Sequence, residues 1–148
     1  MGADSDLIKL YSGRILALAG NIPLSERLEA PGATVRKRSP LCGSTVTVDL
    51  SMQDGVISEF GQDVKACALG QAAASVLGSV VLGLTPEQVG AARDELKAML
   101  TADGPPPQAP FDGLEALLPA RDFKNRHASI MLALEATVQA MEEAQSAA

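Results

Sequence analysis

Three side chains in this sequence could hold a soft metal ion or pass sulfur: Cys42, Cys67 and His127, the only two cysteines and the only histidine of the chain. Thiolates with an imidazole suit zinc, copper or iron–sulfur chemistry, and a thiol beside a histidine also suits nucleophilic sulfur transfer. Neither a C-x-x-C nor an H-x-x-x-H pair marks a local metal clip, so only the fold can bring the three together. Charge adds a second signal. Arg36, Lys37, Arg38, Lys65, Arg121, Lys124 and Arg126 lie within six positions of one of the three, in a chain of net charge -6. Positive charge and a helix N-terminus both favour the thiolate form. Plainer readings stand beside these. Free cysteine is among the most buried residue types, a lone histidine near a helix start is often a cap, and Arg36 to Arg38 also read as a solvated edge strand guarded against aggregation.

The elements that must position these groups follow from periodicity. Residues 5–19 carry Leu7, Ile8, Tyr11, Ile15 and Leu18 near the helical period, with Gly20 and Asn21 as a stop, which predicts an N-terminal amphipathic helix. The proline-containing run NIPLSERLEAPGATV reads as an irregular connection into a strand at about 33–39. From Thr45 to Met52 the alternation puts Val46, Val48, Leu50 and Met52 on one face and Thr45, Thr47, Asp49 and Ser51 on the other, a half-buried strand. Asp54-Gly55 predicts a hairpin turn, with the return strand from Val56 to about Val64. Cys42 and Cys67 flank that hairpin from outside, so antiparallel pairing predicts that they are neighbours.

After Cys67, the small apolar run ALGQAAASVLGSVVLGL suits a helix buried against the sheet, its N-terminus pointing at the thiol. TPEQ signals the next helix, with Thr85 as N-cap, Pro86 first and Gln88 closing a capping box; Val89, Ala92, Leu96, Met99 and Leu100 form its buried stripe. Residues 101–113 read as an exposed Pro/Gly loop, and Pro119 as a break before a final helix from about Asn125 to Glu143 with His127 in its first turn. Helix, then strands, then helices argues an α+β fold in a single domain spanning 1–148. The composition, 47% hydrophobic, 20% charged and 3% aromatic, is that of a folded domain, and a negative chain with no tryptophan offers little to nucleic acid. No signal sequence or membrane span is read, so the expected setting is cytoplasmic, where two cysteines serve as thiols or ligands rather than a disulfide.

SPLCGSTVTVDLSMQDGVISEF followed by VKACALGQAAASVLGSVVLGLTPEQV resembles the NifU/IscU/SufU-like family of iron–sulfur cluster assembly scaffolds. That family has a Pro-x-Cys-Gly-Asp motif before a strand, a hairpin, a Gly-Cys motif opening a helix of small residues, and a Gly-x-Thr-x-x-Glu start to the next. Pro40, Cys42, Gly43, Cys67, Ala72, Ala74, Ser75, Gly83 and Thr85 occupy those places in order. LYSGRILALAGNIP and LLPARDFKNRHASIMLALEA are similar to its first helix and its final loop and helix. The resemblance implies an N-terminal helix, a three-stranded antiparallel sheet and C-terminal helices packed on one face. It also implies a carrier that holds a [2Fe–2S] cluster or a zinc ion, takes sulfur from a cysteine desulfurase and serves cluster-recipient proteins.

Two positions depart from the pattern. Ser44 stands at the family's aspartate, and the third cysteine falls on His127 when HASIML is aligned with the family's Cys-Ala-Thr-Leu run, or on Ala128 when RHAS is aligned with a His-Cys-Ser run, which makes His127 its neighbour. The expected ligands are therefore Cys42, Cys67 and His127, with a fourth from Ser44, water, a partner or glutathione. An alternative is a degenerate homologue that acts as an interaction or regulatory module without a cluster. A sulfurtransferase using Cys67 as nucleophile and His127 as base ranks last.

Overall fold

The sheet is organised around one turn. Asp54 and Gly55 both adopt positive φ, 55° and 81°, which a two-residue turn matching the strand twist requires. They join β2 (Thr45–Gln53) to β3 (Val56–Lys65), with Gln53 opposite Val56 and Thr45 opposite Lys65. A register shift between Ser51 and Met52 interrupts the ladder near the turn. β1 (Ala33–Arg38) pairs antiparallel with the other side of β2, giving the order β1-β2-β3. The computed structural model describes residues 10–40 and 43–147.

Val46, Val48 and Leu50 point inward and are buried, as their alternation predicts. Over them lies α4 (Lys124–Ala147), with α2 (Ala68–Val80) against α4 and β3, while α1 (Gly13–Ala19) packs on α2 and α3 (Pro86–Thr101) packs on α4. This is the expected α+β arrangement. Enclosed by β1, β2, α2 and α3, α4 buries Ile130, Leu134, Ala136, Ala140 and Met141 on several sides. The Thr85 box forms as read: Gln88 N donates to Thr85 Oγ1 at 3.2 Å and Thr85 N to Gln88 Oε1 at 2.9 Å. The stripe expected on α3, from Val89 to Leu100, is buried.

Two expectations are corrected and a third is refined. The N-terminal run is not one helix over 5–19: Ser12 Oγ accepts from Ile15 N at 3.3 Å and starts α1 afresh, because a serine hydroxyl competes for the backbone donors a continuous helix would use. Residues 5–9 lie outside the described residues. The connection at 101–113 is largely exposed, as expected, and is tied down besides, since Phe111 is buried, Arg121 Nε donates to Met99 O at 2.7 Å and Arg121 Nη2 to Gly104 O at 2.9 Å. Pro119 sits inside a 3₁₀ helix, Asp112–Asp122, which leads into α4.

The second correction concerns β2, which is covered on both faces. The segment after α1 crosses the outer face of the sheet so closely that a Cβ on Gly61 would overlap the Glu26 carbonyl. Beneath it Asp49 is fully buried, accepting from Arg27 Nε (2.5 Å), Arg27 Nη2 (3.1 Å), Leu28 N (3.1 Å) and Thr34 Oγ1 (2.6 Å). Burial pushes this carboxyl up, but hydrogen bonds from Arg27, Thr34 and the Leu28 amide, with the Arg27 charge, hold it below its usual range. Two polar positions of the alternation, Asp49 and Ser51, thus fasten a strap, Ser51 Oγ accepting from Gly32 N at 3.0 Å. Among the described residues no helix is long and apolar enough to cross a membrane.

Candidate functional site

Cys67 is the N-cap of α2, with extended backbone (φ -66°, ψ 168°), and its carbonyl accepts the first helical bond from Gln71 N at 2.9 Å. Its side chain does not cap the helix. Sγ is half-buried and lies 3.5 Å from Ser129 Oγ on α4. Helix N-termini leave amide protons unpaired and carry positive partial charge, so a sulfur at this point sits where negative charge is stabilised.

Ser129, itself buried, donates to Ser44 Oγ at 3.0 Å. The thiol of α2, the first turns of α4 and the residue just before β2 therefore form one hydrogen-bonded chain. A hydroxyl has a single proton to give. When Ser129 donates to Ser44, its oxygen is left to accept from the Cys67 thiol; when Cys67 is a thiolate, Ser129 donates to sulfur by reversing its bond with Ser44, whose hydroxyl then donates to the Ser129 oxygen. This approach of α2 to α4 depends on Gly70, where a Cβ would lie 2.7 Å from Ser129 Oγ and 3.1 Å from Ser129 O.

His127, in the first turn of α4, is held elsewhere. Its Nε2 is 2.9 Å from Ala120 O, which as a donor leaves Nδ1 as the lone-pair nitrogen. Residues two apart on a helix point about 200° apart. The turn that aims Ser129 at Cys67 therefore directs His127 to another side, toward the 3₁₀ helix. Cys42 lies outside the described residues; Gly43 and Ser44, which follow it, are described, with Gly43 N donating to Ser39 O at 2.9 Å and Ser39 N to Ser44 O at 2.8 Å. Among the described residues no group of three His, Cys, Asp or Glu could hold a metal ion.

The cations noted near the three candidates divide by role. Arg36, Arg38 and Lys65 are exposed on the sheet, whereas Arg121 is a loop anchor, with Asp103 3.6 Å from its guanidinium. Ser129 is the residue that sequence reasoning passed over. The alignment of RHAS with a His-Cys-Ser run carried the signal, since it places Ser129 at that run's serine and Ala128 at its cysteine.

No family profile matches the chain, and no curated protein sequence does. Solved structures do. The chain is 42% identical to the N-terminal part of a nitrogen-fixing NifU-like protein from Brucella abortus, over 97% of this chain and 99% of that one, with a TM-score of 0.93. It shares its fold with a protein assigned as an iron–sulfur cluster assembly scaffold for the SUF system from Fervidobacterium islandicum, at 15% identity and a TM-score of 0.82, covering 90% of this chain and 98% of that one. A hypothetical protein has the same fold, at 20% identity and a TM-score of 0.81, covering 91% and 98%.

Proposed function

The chain belongs to the NifU/IscU/SufU-like family of iron–sulfur cluster assembly scaffolds, and from that premise we propose that it is a carrier on which an iron–sulfur cluster is built or held as cargo at the N-terminal ends of α2 and α4. The observation that carries this reading is Cys67: a half-buried thiol at the start of a helix, hydrogen-bonded to Ser129 and through it to Ser44. In this reading Cys42 and Cys67 are the thiolate ligands, and Nδ1 of His127 becomes the third once the imidazole leaves Ala120 O and the start of α4 turns it toward Cys67. A [2Fe–2S] cluster is ordinarily held by four cysteines, or by two histidines and two cysteines in Rieske centres, and this chain has two cysteines. Its own ligand set is therefore incomplete, and a hydroxyl, water, glutathione or a partner's side chain supplies the rest. An open position suits cargo, because a recipient's ligand can enter there without first displacing a protein thiolate. Sulfur would come from a cysteine desulfurase in the cytoplasm, with no turnover by the chain itself.

The test is iron and acid-labile sulfide per chain after anaerobic reconstitution, with zinc uptake measured in parallel, on the wild type and on Cys42→Ala, Cys67→Ala and His127→Ala. The proposal expects wild-type iron and sulfide in equal amounts and a loss in each variant. A wild type that takes up neither iron nor zinc sinks it.

A second reading keeps the fold and drops the cargo. It is favoured by Ser44 and Ser129, which satisfy one another where the family offers a carboxylate. As an interaction module, the chain would bind its partners equally well with both cysteines replaced by alanine.

A further inference from the structure

The two edges of the sheet are treated differently. That of β3 is closed: Ile57 N donates to Leu84 O (3.0 Å), Gly83 N to Ile57 O (2.9 Å) and Gln62 N to Leu24 O (2.9 Å). Among the described residues, no backbone bond from outside the sheet reaches β1. Half of an edge strand's N–H and C=O groups point away from its neighbour, a template for another extended chain.

This open edge is basic and has a cavity on either flank. Arg36 and Arg38 are exposed on the outer face, and Lys37 turns to the helix side. The outer cavity, about 380 Å³, is lined by Arg27, Arg36 and Lys65, with threonine hydroxyls and the single carboxylate of Asp63. The inner cavity, about 500 Å³, lies between β1, α3 and α4. There Lys37, Arg93 and Lys97 are balanced by Asp94, Glu135 and Glu142, and Met131 and Val138 supply an apolar lining. One flank therefore carries an excess of positive charge, and the other, where cations and carboxylates balance, carries none.

We propose that β1 is a docking edge for an extended acidic segment of a partner protein, which adds as a fourth strand with acidic side chains over Arg36 and Arg38 and alternate uncharged ones toward the charge-balanced inner groove. Side chains of a strand alternate between faces, so a repeat of one acidic and one uncharged residue matches both flanks. A second copy of this chain is a poor occupant, because pairing two β1 edges would set three cations against three. The charges that exclude self-pairing thus admit an acidic strand. Nucleic acid has no amide ladder to match the edge and meets a chain of net charge -6. The inference rests on the open edge and its charge, and is independent of cargo at Cys67.

The test titrates the full chain with an acetylated peptide of roughly eight residues alternating Asp and Val, long enough to span β1, at about 20 mM and about 300 mM salt. Calorimetry reads affinity and amide exchange reads the site. Expected are binding that weakens with salt, new protection of amides within 33–38, and an affinity about tenfold lower in the Arg36→Glu, Arg38→Glu double variant. The same peptide N-methylated at alternate amides, titrated into the unaltered chain, is expected not to bind. No binding, binding without protection in β1, or equal binding of the N-methylated peptide overturns the proposal. So does tighter binding of a single-stranded oligonucleotide or of phosphatidylglycerol vesicles at Arg36 and Arg38.

Discussion

Replacing Asp49 by Asn tests whether the strap over the outer face is held by one carboxylate. Oδ2 accepts from Arg27 Nε and Leu28 N, and Oδ1 from Arg27 Nη2 and Thr34 Oγ1. The best asparagine keeps its carbonyl at the Oδ2 position and places its NH2 where Oδ1 was. Thr34 can rotate to accept from that NH2, whereas Arg27 Nη2 faces another donor and must turn to water. It can do so, because the Arg27 side chain is 53% exposed while that of Asp49 is 0% exposed. The larger penalty of stranding a buried charge therefore does not apply. What is lost is the ionic character of the remaining bonds and one charge-assisted bond outright, about 2 kcal/mol in total, or roughly 4–8 °C in Tm for a chain of this size. With one tyrosine and no tryptophan, urea unfolding is best followed by far-UV circular dichroism.

The pH dependence supplies the sharper check. The folded Asp49 carboxyl lies below its usual range, so its contribution is complete above the unfolded value of about 3.9 and is lost as pH falls through the lower, folded value. The stability gap between wild type and Asp49→Asn is expected to be constant from about pH 7 to about pH 5 and to narrow below about pH 4. A gap under about 0.5 kcal/mol at neutral pH, or one that does not narrow in acid, would refute the reasoning.

Gly61→Ala forces a Cβ into the Glu26 carbonyl and should cost about 2–4 kcal/mol, with amide protection lost first at Gln62, whose N–H donates to Leu24 O; unchanged protection there would show that the strap is dispensable. His127→Ala removes the bond to Ala120 O and should cost about 1 kcal/mol. In His127→Gln an amide NH2 can restore that bond and with it the stability, but not iron uptake if Nδ1 is a ligand, so equal iron in the glutamine variant and the wild type would count against a ligand role. Ala128→Cys places a thiol at the position where the RHAS alignment puts the family's third cysteine. It should increase the iron and sulfide retained after gel filtration at least twofold, and no increase would argue that Ala128 faces away from the site.

Local chemistry was legible in the sequence wherever the groups concerned lie within a few residues of each other. Asp54-Gly55 supplies its own positive φ, Thr85 and Gln88 satisfy each other's amides, and Val46, Val48 and Leu50 share a face because a strand alternates with period two. The family motifs, carried by residues from Pro40 to Thr85, extended that reading to the order of the elements. Contacts between segments far apart in the chain were decided only in three dimensions. Asp49 reads as a solvent-facing residue until a strap 21 positions away in sequence closes over it, and Arg121 reads as a cation near a candidate ligand until it is found holding the loop after α3. At the site, the sequence offered two alignments that differ by one residue. The rotation of α4 against α2 brings Ser129 to Cys67 and turns His127 to Ala120. One residue along a helix is about 100° of rotation, and the packing of buried side chains sets that angle where local periodicity does not.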